Sequence, residues 1–175
     1  GTNLEAGMQI KTILVAMMVV ATGMVNAAED DFVPSGPAPS RVLGWIEKAV
    51  LLPGNLLMNA KMDTGALTSS LDARNMERFQ RNGKNWIRFD VTGQSGDKVT
   101  KHSYEQEIVR DVTLRGAGGT DQRPVVMMKL CIGAQIYNEE FSLRDRGEMK
   151  YPLLIGRKTI QHLGVIDVTR QYTVE

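Results

Sequence analysis

The 175-residue chain has one cysteine, Cys131, so no internal disulfide can form. Set between Leu130 and Ile132, it reads as a small buried apolar residue. Histidine occurs twice, as His102 and His162, and no His-Glu-x-x-His helix is present, which leaves zinc chemistry without its usual ligands. No Gly-x-x-x-x-Gly-Lys-Ser/Thr loop offers backbone N–H groups to nucleotide phosphates. Neither sign of charge dominates. Lys and Arg number 21 against 20 Asp and Glu, so a net +1 gives no electrostatic case for nucleic acid or an anionic membrane.

Long apolar runs are missing after residue 27. The one that precedes it, residues 13–20, follows Lys11 and is short of the roughly 20 residues a membrane span needs. Small residues follow, ending in Val25-Asn26-Ala27, the small-x-small pattern that signal peptidase accepts. The stretch reads as a secretory signal cleaved near Ala27, which puts the mature chain in the periplasm or outside the cell with no stable membrane insertion. An apolar first helix and an uncleaved anchor are the alternatives. Met8 looks like a natural start, so residues 1–7 read as an expression remnant or an upstream extension. Cleavage removes Glu5 and Lys11 together and leaves the net charge unchanged.

Residues 28–40 are acidic, then rich in Pro, Ser and Gly, and read as a flexible leader. Residues 41–175 then form one domain, long enough for its own core. Its pattern is strand-like. Apolar runs at 45–52 and 56–62 flank the turn cluster Pro53-Gly54-Asn55, and Ile87, Phe89 and Val91 alternate with Arg88 and Asp90. A turn is expected at 93–96. Further strands are expected at 108–114, 124–132, 134–143, 151–155, 165–168 and 172–174. Two short helices are expected: residues 73–81, capped by Asp72 and stopped by Gly83, and residues 157–163, stopped by Gly164. Many short strands with one or two short helices make an all-β domain.

The most informative segment is Lys61-Met62-Asp63-Thr64-Gly65-Ala66, where an apolar strand runs into an Asp-Thr-Gly loop. Gly65 permits a tight loop, and the Thr64 hydroxyl can both donate and accept. Alone, the tripeptide is equally a polar β-turn. About ninety residues later, Leu154-Ile155-Gly156-Arg157 ends a second apolar strand and begins a helix. These two segments, with Leu143-Arg144-Asp145-Arg146, resemble the retropepsin family, and more narrowly its bacterial group often labelled "ATP-dependent zinc protease". The residues themselves support neither half of that label.

The resemblance covers residues 41–175 and implies a closed β-barrel of the acid-protease kind with no cofactor. It also implies that Asp63 is catalytic, that Thr64, Gly65 and Ala66 form the active-site loop, and that Leu154, Ile155, Gly156 and Arg157 form the strand supporting it. With one Asp-Thr-Gly and too few residues for two lobes, the second carboxylate is expected from Asp63 of another copy, across a homodimer, acting on a peptide or protein substrate. The Gly-rich segment around Gly116, Gly118 and Gly119 reads as a flap over the substrate, or as an ordinary mobile hairpin loop. His102 with Glu105 and Glu107 is the best metal candidate, but the cluster reads better as a solvated polar turn, and no metal site is expected. His162 suits the last turn of a helix, and Asp145 with Arg146 reads as an exposed ion pair. The alternative function is a non-catalytic periplasmic module that binds a peptide or protein on the same fold.

Overall fold

The computed structural model describes residues 36, 39–147 and 150–174. The expected export signal lies outside them, as does the expected leader apart from residues 36, 39 and 40. No described helix is long and apolar enough to cross a membrane.

The domain opens with β1 (Val42–Gly44), β2 (Ile46–Leu52) and β3 (Leu56–Met62). In β3 the period of two is plain: Leu56, Met58, Ala60 and Met62 are buried, and Leu57, Asn59 and Lys61 are half-buried. β4 (Ser69–Asp72), β5 (Arg74–Arg81), β6 (Lys84–Ser95), β7 (Lys98–Gly116), β8 (Gly119–Ile132) and β9 (Gln135–Arg144) follow. β10 (Leu153–Ile155), helix α1 (Arg157–Leu163) and β11 (Val165–Asp167) complete the order. β2 pairs with both β3 and β8, so the path β2–β3–β10–β4–β9–β8 closes on itself as a barrel. β7, β6 and β5 extend the sheet beyond it, and β6 touches β3 again at Leu57 and Gln94. Closure leaves few free edges and surrounds an interior filled by Phe141, Leu51, Leu56, Met128 and Leu130, and Phe89 of β6 joins the same core cluster. The domain is therefore the expected all-β barrel.

The helix expected over 73–81 is instead strand β5, antiparallel to β6 with Arg78 opposite Ile87 and Phe79 opposite Trp86. The Asp72 carboxylate does not cap a helix; it accepts from the Arg146 backbone N–H at 2.8 Å and from Arg74 Nε at 3.1 Å. Gly83 is not a helix stop either. Asn82 and Gly83 have φ of 52° and 74°, the two positive values of a tight hairpin turn. Asn-Gly is the strongest short hairpin signal a sequence carries, and here it outweighs the helix-cap reading. Pairing with β6 supplies the hydrogen bonds that a helix without an apolar stripe could not trade for burial.

Smaller departures share a cause in long-range pairing. β6 runs on through Ser95, so the turn is Gly96-Asp97 rather than 93–96. Gly93 sits at the β6–β3 crossing, where an added Cβ would fall 2.8 Å from Leu56 Cβ. The segment left between the strands expected at 108–114 and 124–132 shortens to a two-residue turn, Ala117-Gly118. Cys131 is half-buried rather than buried.

Residues 172–174 form no strand, but they are pinned to their own chain. Glu47, fully buried, accepts from Gly44 N at 2.6 Å, Thr173 N at 3.1 Å, Thr173 Oγ1 at 2.5 Å and Val174 N at 3.3 Å. Tyr172 N donates to Ile46 O at 2.8 Å. This anchor joins the chain end to β2, whose neighbour Trp45 accepts from Met62 N at 2.8 Å, one residue before Asp63.

Candidate active site

Asp63 leaves β3 where β10 runs parallel beside it, with Ile155 opposite Met62. Its backbone N–H donates to Ile155 O at 2.8 Å, so the strand register sets the start of the loop. The loop then turns sharply: Gly65 N donates to Asp63 Oδ1 at 3.0 Å and Ala66 N to Asp63 O at 3.2 Å. Thr64 and Gly65 are exposed and Asp63 is half-buried, so the apex of the loop faces outward.

The second segment grips the loop from behind. Arg157 N donates to Ala66 O at 2.8 Å and Lys158 N to Leu67 O at 3.1 Å. The Arg157 side chain reaches round to Thr64 O at 3.0 Å. Gly156 is small because the chains cross here: an added Cβ would lie 2.7 Å from Thr68 C and 2.8 Å from Leu67 O, both backbone atoms. Gly156 N donates to buried Ser69 Oγ at 3.0 Å, and that hydroxyl meets Thr159 Oγ1 at 3.0 Å. Thr159 Oγ1 continues to Glu139 Oε2 at 3.3 Å, and Glu139 Oε1 lies 2.7 Å from His162 Nδ1. Helix α1 has the expected bounds, ends at Gly164 and carries His162 in its last turn. The structure thus brings Asp63, Thr64, Gly65 and Ala66 together with Leu154, Ile155, Gly156 and Arg157.

The loop opens on a cleft of about 540 Å³, floored by Gly65, Ala66, Leu67 and Thr68. Val112, Leu114 and Arg123 of the β7–β8 hairpin line its other side. Gly116, Gly118 and Gly119 form the tip of that hairpin and border a separate, shallower hollow with Arg144. An added Cβ at any of the three meets nothing within 4 Å.

Four arginines, Arg123, Arg144, Arg146 and Arg157, line the main cleft, and among the described residues no Asp or Glu does. The sequence reading missed this cluster because its members come from β8, the end of β9 and the loop after it, and α1, which only the fold brings together. Asp145 and Arg146 do not form the expected exposed pair. Asp145 bonds Arg74 Nη1 at 2.7 Å, whereas Arg146 turns inward, only 7% exposed, where Nη1 donates to Ser70 Oγ at 3.2 Å. Arg146 Nε is buried without a partner. Burial, and then the charge of Arg144, lower the Arg146 pKa from its ordinary value, with Asp72 and Asp63 pulling the other way. A buried guanidinium with an unused donor beside a cleft is a ready site for an anion.

The metal candidate does not assemble. His102 packs against Tyr104 with ring centroids 4.5 Å apart and planes tilted by 58°, on one face of β7. Glu105 and Glu107, on the opposite face, pair with Arg81, Arg88 and Lys84. Among the described residues, no group of three or more His, Cys, Asp and Glu side chains could hold a metal ion.

A closed barrel whose Asp-Thr-Gly loop is braced by an apolar-apolar-Gly strand and a short helix defines a retropepsin-like domain. The chain belongs to the RimB-like family: the family model, described as retropepsin-like aspartic endopeptidase RimB, matches residues 42–175. Curated relatives carry another name. A "Probable alpha-L-glutamate ligase" of Parasynechococcus marenigrum is 33% identical over 130 residues, 73% of this chain and 28% of that protein. One from Desulfotalea psychrophila is 28% identical over 115 residues, 65% of this chain and 25% of that protein. The chain thus spans about a quarter of the length of the curated relatives it matches. A crystal structure of a Legionella pneumophila protein of unknown function is 32% identical with a TM-score of 0.68, covering 78% of this chain and all of that one.

Proposed function

We propose that the chain is an exported aspartic endopeptidase that acts as a homodimer on acidic peptide segments. The observation that carries this reading is the Asp63-Thr64-Gly65 loop, held by β10 and α1 and exposed at its apex above the cleft. One loop gives one carboxylate, and the reaction needs two. Asp63 of a second copy supplies the other across a two-fold axis.

Two carboxylates held together cannot both ionise, so they share a proton. The ionised one takes a proton from water, and the protonated one hydrogen-bonds the scissile carbonyl oxygen. Water adds to the carbonyl carbon, and the tetrahedral intermediate collapses as the amide nitrogen leaves protonated. The products are a carboxylic acid and an amine, and no covalent bond to the enzyme forms. The β7–β8 hairpin covers the cleft and limits its water.

The four cleft arginines favour carboxylate side chains in the substrate, with Arg146 recovering on binding part of what its burial costs. Glutamate is the amino acid in the curated relatives' name, and its side chain suits this charge. Export follows from the Lys11, residues 13–20 and Ala27 pattern.

The test is cleavage of a peptide library by the wild type and by Asp63→Asn, comparing glutamate-containing peptides with their glutamine counterparts. The reading expects cleavage next to glutamate and a loss of at least a thousandfold in Asp63→Asn, the scale on which removing an essential catalytic group acts. Equal cleavage by a folded Asp63→Asn protein overturns it. Binding of the glutamate peptides without cleavage by either protein favours the non-catalytic binding module.

A further inference from the structure

The β7–β8 hairpin is hydrogen-bonded to the Asp63 loop through Arg110. Its Nη2 donates to Thr68 Oγ1 at 3.0 Å and to Glu140 Oε2 at 2.7 Å, and its Nε donates to the same Glu140 oxygen at 3.1 Å. Thr68 belongs to the cleft floor, and Glu140 belongs to β9. Lys158 of α1 approaches Glu140 at 3.9 Å, while its backbone N–H holds Leu67 O. One guanidinium therefore ties hairpin, loop and barrel wall at a single point.

That point coincides with a bend. The β7–β8 register passes from Ile108 opposite Val126 to Arg110 opposite Val125, which leaves Val109 as the extra residue of a β-bulge. Its side chain points outward, 46% exposed. A bulge bends the strand and increases its twist. The part of the hairpin beyond it carries Val112, Leu114 and Arg123, the residues that face Gly65 and Thr68 across the cleft. Arg110 is the first residue past the bulge, so its bonds to Thr68 and Glu140 set the angle at which the hairpin leaves the barrel.

We infer that Arg110 is the positioning residue of the hairpin: bulge and guanidinium together form the pivot that holds the two walls of the cleft at binding distance. Its consequence for catalysis rests on the peptidase reading above; the pivot itself does not. The neighbouring pair Arg78–Asp111, 2.6 Å apart, lies one residue further along the same strand and does not reach the loop, which makes it the natural control.

The experiment measures the angle directly. Spin labels at Ala117→Cys on the hairpin tip and Asn138→Cys on β9, in a Cys131→Ser background diluted with unlabelled protein, report the distance within one copy by double electron–electron resonance. Arg110→Met is expected to broaden or shift this distance distribution, and Arg78→Met to leave it unchanged. Arg110→Lys keeps a charge for Glu140 but lacks the fork that spans both acceptors; it should act in the same direction and serves if Arg110→Met fails to fold. In an Asp63→Asn background, Arg110→Met and Thr68→Val should each weaken binding of a glutamate-rich peptide about fivefold, the double variant by no more than either alone, because the two act through one bond. An unchanged distribution in both Arg110 variants, or multiplicative losses in the double variant, overturns the pivot. Should Asp63→Asn cleave as wild type, the peptidase reading fails while the distance measurement still decides this one.

Discussion

Replacing Gly156 by alanine tests the support of the Asp63 loop with one methyl group. The backbone at Gly156 has φ −88° and ψ 173°, extended values that alanine adopts without strain, so any cost is steric. The methyl carbon would lie 2.7 Å from Thr68 C and 2.8 and 2.9 Å from Leu67 O and C. Restoring ordinary contact at 3.4 Å requires the 67–68 backbone to retreat by about 0.7 Å. The bonds from Arg157 N to Ala66 O and from Lys158 N to Leu67 O cross this same gap, at 2.8 and 3.1 Å, and both stretch. Overpacking at about 1–3 kcal/mol and a weakened hydrogen bond at about 1 kcal/mol give a loss of about 2–4 kcal/mol. Urea unfolding reads it directly: with an m-value of about 2 kcal/mol/M, the midpoint should fall by about 1–2 M at unchanged m. Gly116→Ala is the control, since nothing lies within 4 Å of its new methyl, and surface changes of that kind stay within about 0.5 kcal/mol. A Gly156→Ala midpoint indistinguishable from that of Gly116→Ala would refute the claim that close chain crossing dictates glycine here.

Glu47→Gln should destabilise the protein by about 2 kcal/mol, because an amide loses the charge that strengthens the bonds from Gly44 and Thr173 and turns an N–H toward Val174. Hydrogen exchange should speed up at the Thr173 and Val174 amides before the barrel opens globally, which a general loss of stability would not produce. Asp90 makes a pH-dependent contribution of known sign. Hydrogen bonds from Ser103 and then Asn75, assisted by Lys101, lower its pKa from 3.8 to about 2. A depressed carboxylate pKa gives stability that is complete above the unfolded value and is lost as pH falls through the folded one. The stability gap between wild type and Asp90→Asn should therefore be constant above about pH 4 and close toward about pH 2, as followed by thermal unfolding across that range.

Much of the barrel was legible because its signals are local. The alternation in β3, the turn cluster at Pro53-Gly54-Asn55, and the run from Leu154 through Gly156 into a helix stopped by Gly164 each depend on neighbours a few residues away. The Asp63-Thr64-Gly65 loop and its supporting strand were legible for the same reason: glycine at a tight turn and glycine at a crossing both leave a mark in the chain itself. Where the sequence reading failed, at residues 73–81, two local signals competed, a cap-like Asp72 and a hairpin-like Asn82-Gly83. Only the availability of β6 as a partner decided between them.

The chain alone thus determined an all-β domain and the segment on which its chemistry would centre, since strand period and turn residues act over short distances. Tertiary structure decided the electrostatics. Arg144 and Arg146 stand two residues apart on paper, yet one is exposed and the other is buried over Ser70. Arg123 and Arg157 join them from elsewhere in the chain to make a cleft lined, among the described residues, by four cations and no Asp or Glu. Side-chain charge has no periodicity to read. Which charges meet depends on barrel closure and strand register, and these are fixed by pairings between residues as far apart as Met62 and Ile155.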